Sequence, residues 1–139
     1  MPQVLTGARI FDGQDLLSDR ALIIRDGVIE AIIPAEDAPI GSSRTRGIIA
    51  PGFIDLQVNG GGGVMVDGAT DLHALRQICA THLRLGCAGI LPTLISDTPE
   101  TTRQVIAAGF AAAWTGVPGF LGLHLEGPHL DPRRHGAHD

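Results

Sequence analysis

The sequence predicts an α/β fold, and three observations carry that prediction. Apolar runs of strand length alternate with two segments of helical periodicity between residues 51 and 126. Ahead of them, residues 1–50 read as short strands cut by Asp-Gly turns, a small β-domain of its own. The 19 glycines and 4% aromatic content favour many tight turns between short elements over one long helical bundle.

The elements follow in order. Val4 to Phe11 is the first strand, closed by Asp12-Gly13. Ala21 to Arg25 and Val28 to Ile33 flank Asp26-Gly27, a pair that tolerates the positive φ of a hairpin turn. Residues 34–47 are polar and proline-punctuated, and read as a loop. Ile48 to Asn59 is a strand entering through Pro51-Gly52, and Gly60 to Gly63 reads as a flexible loop after it. Thr70 to Leu85 is a helix whose apolar face comprises Leu72, Leu75, Ile78, Cys79 and Leu83, with Thr70 as N-cap and Gly86 closing it. Ala88 to Ile95 is a continuous apolar strand. Thr98-Pro99 is an N-cap followed by proline at N1, opening a helix to about Thr115 that Gly116 ends. Phe120 to Glu126 is the last strand. Helical crossovers between apolar strands imply parallel pairing and right-handed βαβ units. Three such strands make either a small open sheet or the front of a (β/α)8 barrel, which takes about 250 residues.

Composition excludes several classes. A net charge of −5 with pI near 5.6 argues against nucleic acid as the main partner. The chain has no uninterrupted apolar stretch of membrane-spanning length, and its start lacks the basic and apolar regions of a signal peptide. The two cysteines, Cys79 and Cys87, are not spaced as a zinc pair and fit a reduced, cytoplasmic protein.

Polar residues gather at the ends of the first and third α/β strands. Alternation in PGFIDLQVNGGGG puts Phe53, Asp55, Gln57 and Asn59 on one face, with Ile54, Leu56 and Val58 on the other. In GLHLEGPHL, Leu121, Leu123 and Leu125 point one way, and His124 and Glu126 the other. The C-terminal ends of parallel strands are where such folds place their sites, so these side chains are expected to converge at one mouth. Glu126 has the chemistry to ligate a divalent metal, with His124 beside it, while Gln57 and Asn59 are neutral amides and poorer zinc ligands. Taken alone, each residue also has a plainer role: a solvated or paired Glu126, a hydrogen-bonded structural His124, an Asp55 that ties down its strand. His129, His135 and His138 lie in a polar tail where exposure is the default.

The segments PGFIDLQVNGGGG (51–63), GCAGILPTLIS (86–96) and GLHLEGPHL (122–130) resemble the amidohydrolase superfamily and, within it, the N-acetylglucosamine-6-phosphate deacetylase family. GARIFDG and ALIIRDGVIEAI near the start fit the same family. The resemblance implies the front portion of an amidohydrolase-type (β/α)8 barrel over 51–139, preceded over 1–50 by strands of a small β-sandwich domain. It implies a metal-dependent hydrolase that removes the acetyl group from N-acetylglucosamine 6-phosphate, with Glu126 as a metal ligand and Ala137 and His138 as substrate contacts. The metal it implies is zinc, with iron, manganese and cobalt as alternatives, and the assembly a homodimer at full length. Gln57 and Asn59 stand where many superfamily members carry a His-x-His pair, which implies one principal metal. The family's catalytic aspartate, two further metal histidines and most phosphate-binding groups lie beyond residue 139. The chain is therefore expected to be an N-terminal fragment with no catalytic residue of its own. Two other readings are another amidohydrolase acting on a cyclic amide or nucleobase, and a non-catalytic α/β module that binds a sugar phosphate.

Overall fold

Two units divide the chain in the computed structural model, which describes every residue except Pro132, His135, Ala137 and Asp139. In the first, Met1–Pro51, β1 (Gln3–Thr6), β2 (Arg9–Phe11), β3 (Leu16–Leu17), β4 (Arg20–Arg25), β5 (Val28–Pro34), β6 (Ser43–Arg44) and β7 (Ile48–Ile49) form two sheets, ordered β5-β4-β1-β6 and β3-β2-β7. The β4–β5 hairpin turns through Asp26 and Gly27, both with φ positive at 51° and 79°. That is the conformation an Asp-Gly pair supplies. The single strand expected over Val4 to Phe11 is instead two, belonging to different sheets. Gly7, at φ +84°, makes the break, and a Cβ there would lie 3.0 Å from the Thr45 carbonyl oxygen. The expected loop over 34–47 contains a 3-10 turn, Ala35–Asp37, and β6, which pairs parallel with β1. Val4, Ile10, Ala21 and Leu22 are buried in this unit.

The second unit, Gly52–Asp139, runs β8 (Phe53–Val58), β9 (Gly60–Gly61), β10 (Val64–Met65), α1 (Leu72–Arg84), β11 (Cys87–Leu94), α2 (Pro99–Trp114) and β12 (His124–Leu125). The sheet order is β12-β11-β8 and both pairings are parallel. Its core joins Val58, Ile90 and Leu94 of the sheet to Leu75 and Ile78 of α1 and Val105 of α2. Each such aliphatic side chain, once fully buried, contributes about 1.5–3 kcal/mol of transfer free energy. The small residues Ala108 and Ala112 of α2 are buried in the same core.

Several element boundaries differ from expectation, each for a local reason. The run Ile48 to Asn59 is two strands, because Pro51 has no N–H to give a ladder. The N-cap of α1 is Asp71, whose side chain accepts from the Ala74 amide at 2.8 Å. Thr70 is engaged elsewhere, its hydroxyl accepting from the Asp67 amide at 2.8 Å. Thr98 does cap α2, accepting from the Thr101 amide, with Pro99 in the first turn. Gly60 to Gly63 is not a loose loop: β9 and β10 pair antiparallel around Gly62 and Gly63, at φ +64° and +83°. The hairpin is held to α1, since Gln77 Nε2 donates to the Gly62 carbonyl and His82 Nε2 lies 2.9 Å from that of Gly60. The third strand is reduced to His124–Leu125 plus one bridge between Ile90 and Phe120. Gly122, at φ +151°, interrupts it and parts the leucines. Leu123 rests on Gly109 of α2, whereas Leu121 covers Gly89 of β11 and stays exposed.

Candidate active site

The C-terminal ends of the three parallel strands hold the polar side chains. Gln57 and Asn59 arrive on and just beyond β8, and Glu126 follows β12 directly, its amide donating to the Leu94 carbonyl at 2.8 Å. Gln57 Nε2 donates to Glu126 Oε2 at 2.9 Å. On the other oxygen, His138 Nε2 lies 3.6 Å from Glu126 Oε1. Side-chain exposure is 30% for Glu126 and 17% for His138, so the carboxylate is partly withdrawn from water, with the Gln57 amide donating to one oxygen and the His138 ring near the other. Gln57, Asn59, Glu126 and His138, with Met65 and Ile95, line a cavity of about 270 Å³.

Other predicted residues take separate places. Asp55 ties down its own strand, its Oδ1 accepting from the Gln57 amide at 3.1 Å. His124 is not among the residues lining that cavity; its Nδ1 sits 3.4 Å from Thr93 Oγ1. His129 is exposed and lines a neighbouring cavity, about 340 Å³, shared with Ser96, Asp97, Arg103 and Glu126. His138 departs from the exposure expected of the tail, because Ser96 holds its ring: Ser96 Oγ is 2.8 Å from Nδ1. Ala137 and His135 lie outside the described residues.

Two neighbours of these side chains gave little or no sign of their place in the sequence. Thr93, fully buried, accepts from the Val58 amide at 2.9 Å and donates to the Leu91 carbonyl at 3.0 Å, fixing β8 against β11 beneath Gln57. A hydroxyl inside the apolar run GILPTLI was the available signal. Ser96 carried no such signal, being 42 residues from the ring it holds.

Among the described residues, no group of three or more His, Cys, Asp or Glu side chains is placed to hold a metal ion. Glu126 offers a carboxylate, and the amides around it are weak zinc donors. The described residues therefore do not fit a complete metal centre. What they can do is hold a carboxylate in one orientation and present amide and imidazole groups to a polar ligand. No described helix is long and apolar enough to cross a membrane.

Residues 4–45 match the family model described as the NagA composite domain. The chain is 36% identical, over 97% of its length, to an N-acetylgalactosamine-6-phosphate deacetylase of Shewanella sp. (strain ANA-3), covering 36% of that protein. It is likewise 36% identical, over 96% of its length, to an N-acetylglucosamine-6-phosphate deacetylase of Homo sapiens, covering 34% of it. In structure it overlays N-acetylglucosamine-6-phosphate deacetylase of Pasteurella multocida with a TM-score of 0.88 at 31% identity, covering all of this chain and 38% of that one. The enzyme of Mycobacterium smegmatis follows at 0.79 and 29%, covering 99% of this chain and 39% of that one. The chain thus spans about a third of the length of the curated relatives it matches.

Proposed function

We propose that this chain, which corresponds in sequence and fold to the N-terminal part of the N-acetylglucosamine-6-phosphate deacetylase family, supplies one wall of the active site for removing the acetyl group from an N-acetylhexosamine 6-phosphate. N-Acetylglucosamine 6-phosphate is the substrate we favour, giving acetate and glucosamine 6-phosphate. Relatives carry names for both the gluco and galacto sugars. One observation carries the reading: the Gln57–Glu126 hydrogen bond sets an oriented carboxylate in a cavity shared with Asn59 and His138.

In this reading Glu126 is the chain's contribution to a divalent-metal centre, with zinc the first candidate and iron, manganese or cobalt the others. Gln57 holds that carboxylate in place, as a partner behind a ligand does. Asn59 lines the cavity as a neutral hydrogen-bonding group, and His138, with Ala137, contacts the sugar. Because the described residues do not complete a metal centre, no chemical step is assigned to the chain alone. Residues 1–50 are read as strands of the small β-domain and 51–139 as the first βα units of a (β/α)8 barrel. The protein is read as cytoplasmic and homodimeric at full length, with a small amino-sugar phosphate as its partner.

The test is acetate release by the protein carrying these residues, assayed on both N-acetylhexosamine 6-phosphates and on a cyclic amide, with the metal content measured. Metal-dependent release from a sugar phosphate is expected. Turnover of the cyclic amide alone would move the protein to another amidohydrolase activity. A second reading, a non-catalytic module that binds a sugar phosphate, is favoured by the lack of a three-donor cluster among the described residues. Saturable binding of glucosamine 6-phosphate with no turnover in any metal would establish it.

A further inference from the structure

The hairpin of β9 and β10 borders the cavity, yet little inside it can hold it there. Each strand has two residues, and Gly62 and Gly63 make the turn. A two-stranded hairpin is marginal in water by itself, and glycine gives up more backbone freedom on ordering than any other residue. The residues that follow the turn divide by parity. Val64 packs against the core and Val66 is buried in it, while Met65 between them lines the cavity with Gln57, Asn59 and Glu126. Asn59 closes the base of the hairpin, its carbonyl accepting from the Val66 amide at 2.8 Å. Where the hairpin stands therefore sets both Asn59 and Met65.

Helix α1 supplies the hold. Gln77 Nε2 donates to the Gly62 carbonyl at 2.9 Å, and His82 Nε2 lies 2.9 Å from the Gly60 carbonyl oxygen. A carbonyl only accepts, so His82 is the donor there. The two donors match the two acceptors in spacing: five residues of helix rise about 7.5 Å, and two residues of strand about 6.8 Å. No side chain stands between them. A Cβ on Gly61 would lie 2.9 Å from His82 Nε2, and one on Gly62 would lie 2.6 Å from Thr81 Oγ1. The glycines bring the backbone within hydrogen-bond reach of the helix.

We propose that His82 and Gln77 are positioning residues, which from α1 fix the hairpin and through it set Asn59 and Met65 against the ligand in the cavity beside Glu126. Neither residue lines that cavity. The identity of the ligand, an N-acetylhexosamine 6-phosphate, rests on the deacetylase reading; the anchoring of the hairpin does not.

The test uses the protein carrying these residues. His82→Leu combined with Gln77→Leu removes both donors. His82→Gln keeps them, because a glutamine Nε2 stands as many bonds from the backbone as the imidazole Nε2. Hydrogen exchange is read at the Val66 amide, with the Ile90 amide of β11 as internal reference, since a loss of global stability moves both. Protection at Val66 relative to Ile90 is expected to fall roughly two- to tenfold for each bond removed, and to stay at the wild-type level in His82→Gln. With N-acetylglucosamine 6-phosphate, the double variant is expected to raise KM in similar proportion with a smaller change in kcat, and His82→Gln to keep the wild-type KM. If the double variant does not fold, Gln77→Leu alone, at an exposed bond, carries the comparison. Unchanged relative protection, or a loss that His82→Gln shares, overturns the anchoring. Lost protection with an unchanged KM overturns its role in the site. A wild type that releases no acetate sinks the deacetylase reading and takes that role with it, while exchange still decides the anchoring.

Discussion

Replacing Thr93 by valine tests how the site is built, because it deletes one hydroxyl at nearly constant shape. Thr93 is fully buried, between the strand that carries Gln57 and the strand that leads to Glu126. The register of β8 against β11 slips between Ile90 and Pro92, and Pro92 has no N–H for the ladder. The Val58 amide is met there by a side chain, the Thr93 hydroxyl at 2.9 Å. In Thr93→Val that amide stays buried beside a 4%-exposed side chain with its acceptor gone. Leaving a buried donor unsatisfied costs about 1–3 kcal/mol. Thr93→Ser keeps the hydroxyl and loses one methyl, a cost of about 0.8 kcal/mol before any cavity term.

The two variants separate in amide exchange. For Thr93→Val, protection at the Val58 amide is expected to fall roughly five- to 150-fold, the ratio that 1–3 kcal/mol sets. For Thr93→Ser, the Val58 amide should change no more than its neighbours in the sheet. Urea unfolding gives the global cost, read as a lower midpoint at constant slope. Equal loss of Val58 protection in both variants, or none in valine, would refute the claim that this hydroxyl replaces a ladder bond.

Four further outcomes are expected. Glu126→Gln should leave the unfolding midpoint nearly unchanged while metal affinity and acetate release fall by more than about a hundredfold, beyond the 10–100-fold typical of partners behind a ligand; normal metal content would remove Glu126 from the site. Gly62→Ala should destabilise by about 1–2 kcal/mol for its left-handed backbone, and by more than Gly63→Ala, since a Cβ at 62 also meets Thr81 Oγ1 at 2.6 Å and one at 63 meets nothing; thermal unfolding of the pair decides it. Burial pushes the Cys79 thiol up, so iodoacetamide should label Cys87 first and Cys79 only on unfolding; the stability carried by that neutral thiol is complete below the ordinary thiol pKa and lost as pH rises through the raised one, and mass mapping of labelled peptides is the check. The 139-residue chain by itself should self-associate, because Phe53, Ile54 and Leu56 on outer strand β8 are 73%, 53% and 63% exposed; a soluble monomer by light scattering would contradict it.

The parts of this fold that are legible in the sequence are those fixed by local signals. Thr98-Pro99 and Asp26-Gly27 act within a few residues, and each does in the structure what its chemistry dictates. Thr70 shows the limit: two adjacent residues were both good caps, and the Asp67 amide, by taking the Thr70 hydroxyl, left the role to Asp71. Gly60 to Gly63 shows another. Glycines carry no side-chain pattern, so the hairpin is visible only through what it leans on, Gln77 and His82 of α1. A proline inside an apolar run was the readable warning that Ile48 to Asn59 could not be one strand.

The convergence of Gln57, Asn59 and Glu126 was legible as a set of residues and not as a shape. Period-2 alternation brought Gln57, Asn59 and Glu126 toward one mouth, but β8 and β12 are not neighbours; β11 lies between them. Adjacent strands sit about 4.8 Å apart, so a flat sheet holds positions two strands apart nearly 10 Å from each other. The 2.9 Å contact between Gln57 and Glu126 therefore requires the two long side chains to lean together across β11, on a sheet twisted or curled toward that face. Thr93 makes that approach stable, pulling the end of β8 onto β11 where the regular ladder fails. A shorter pair of side chains would not meet. That is a physical reason for glutamine in place of a smaller residue at position 57: its length lets a neutral donor reach a carboxylate two strands away and hold it without adding a charge of its own.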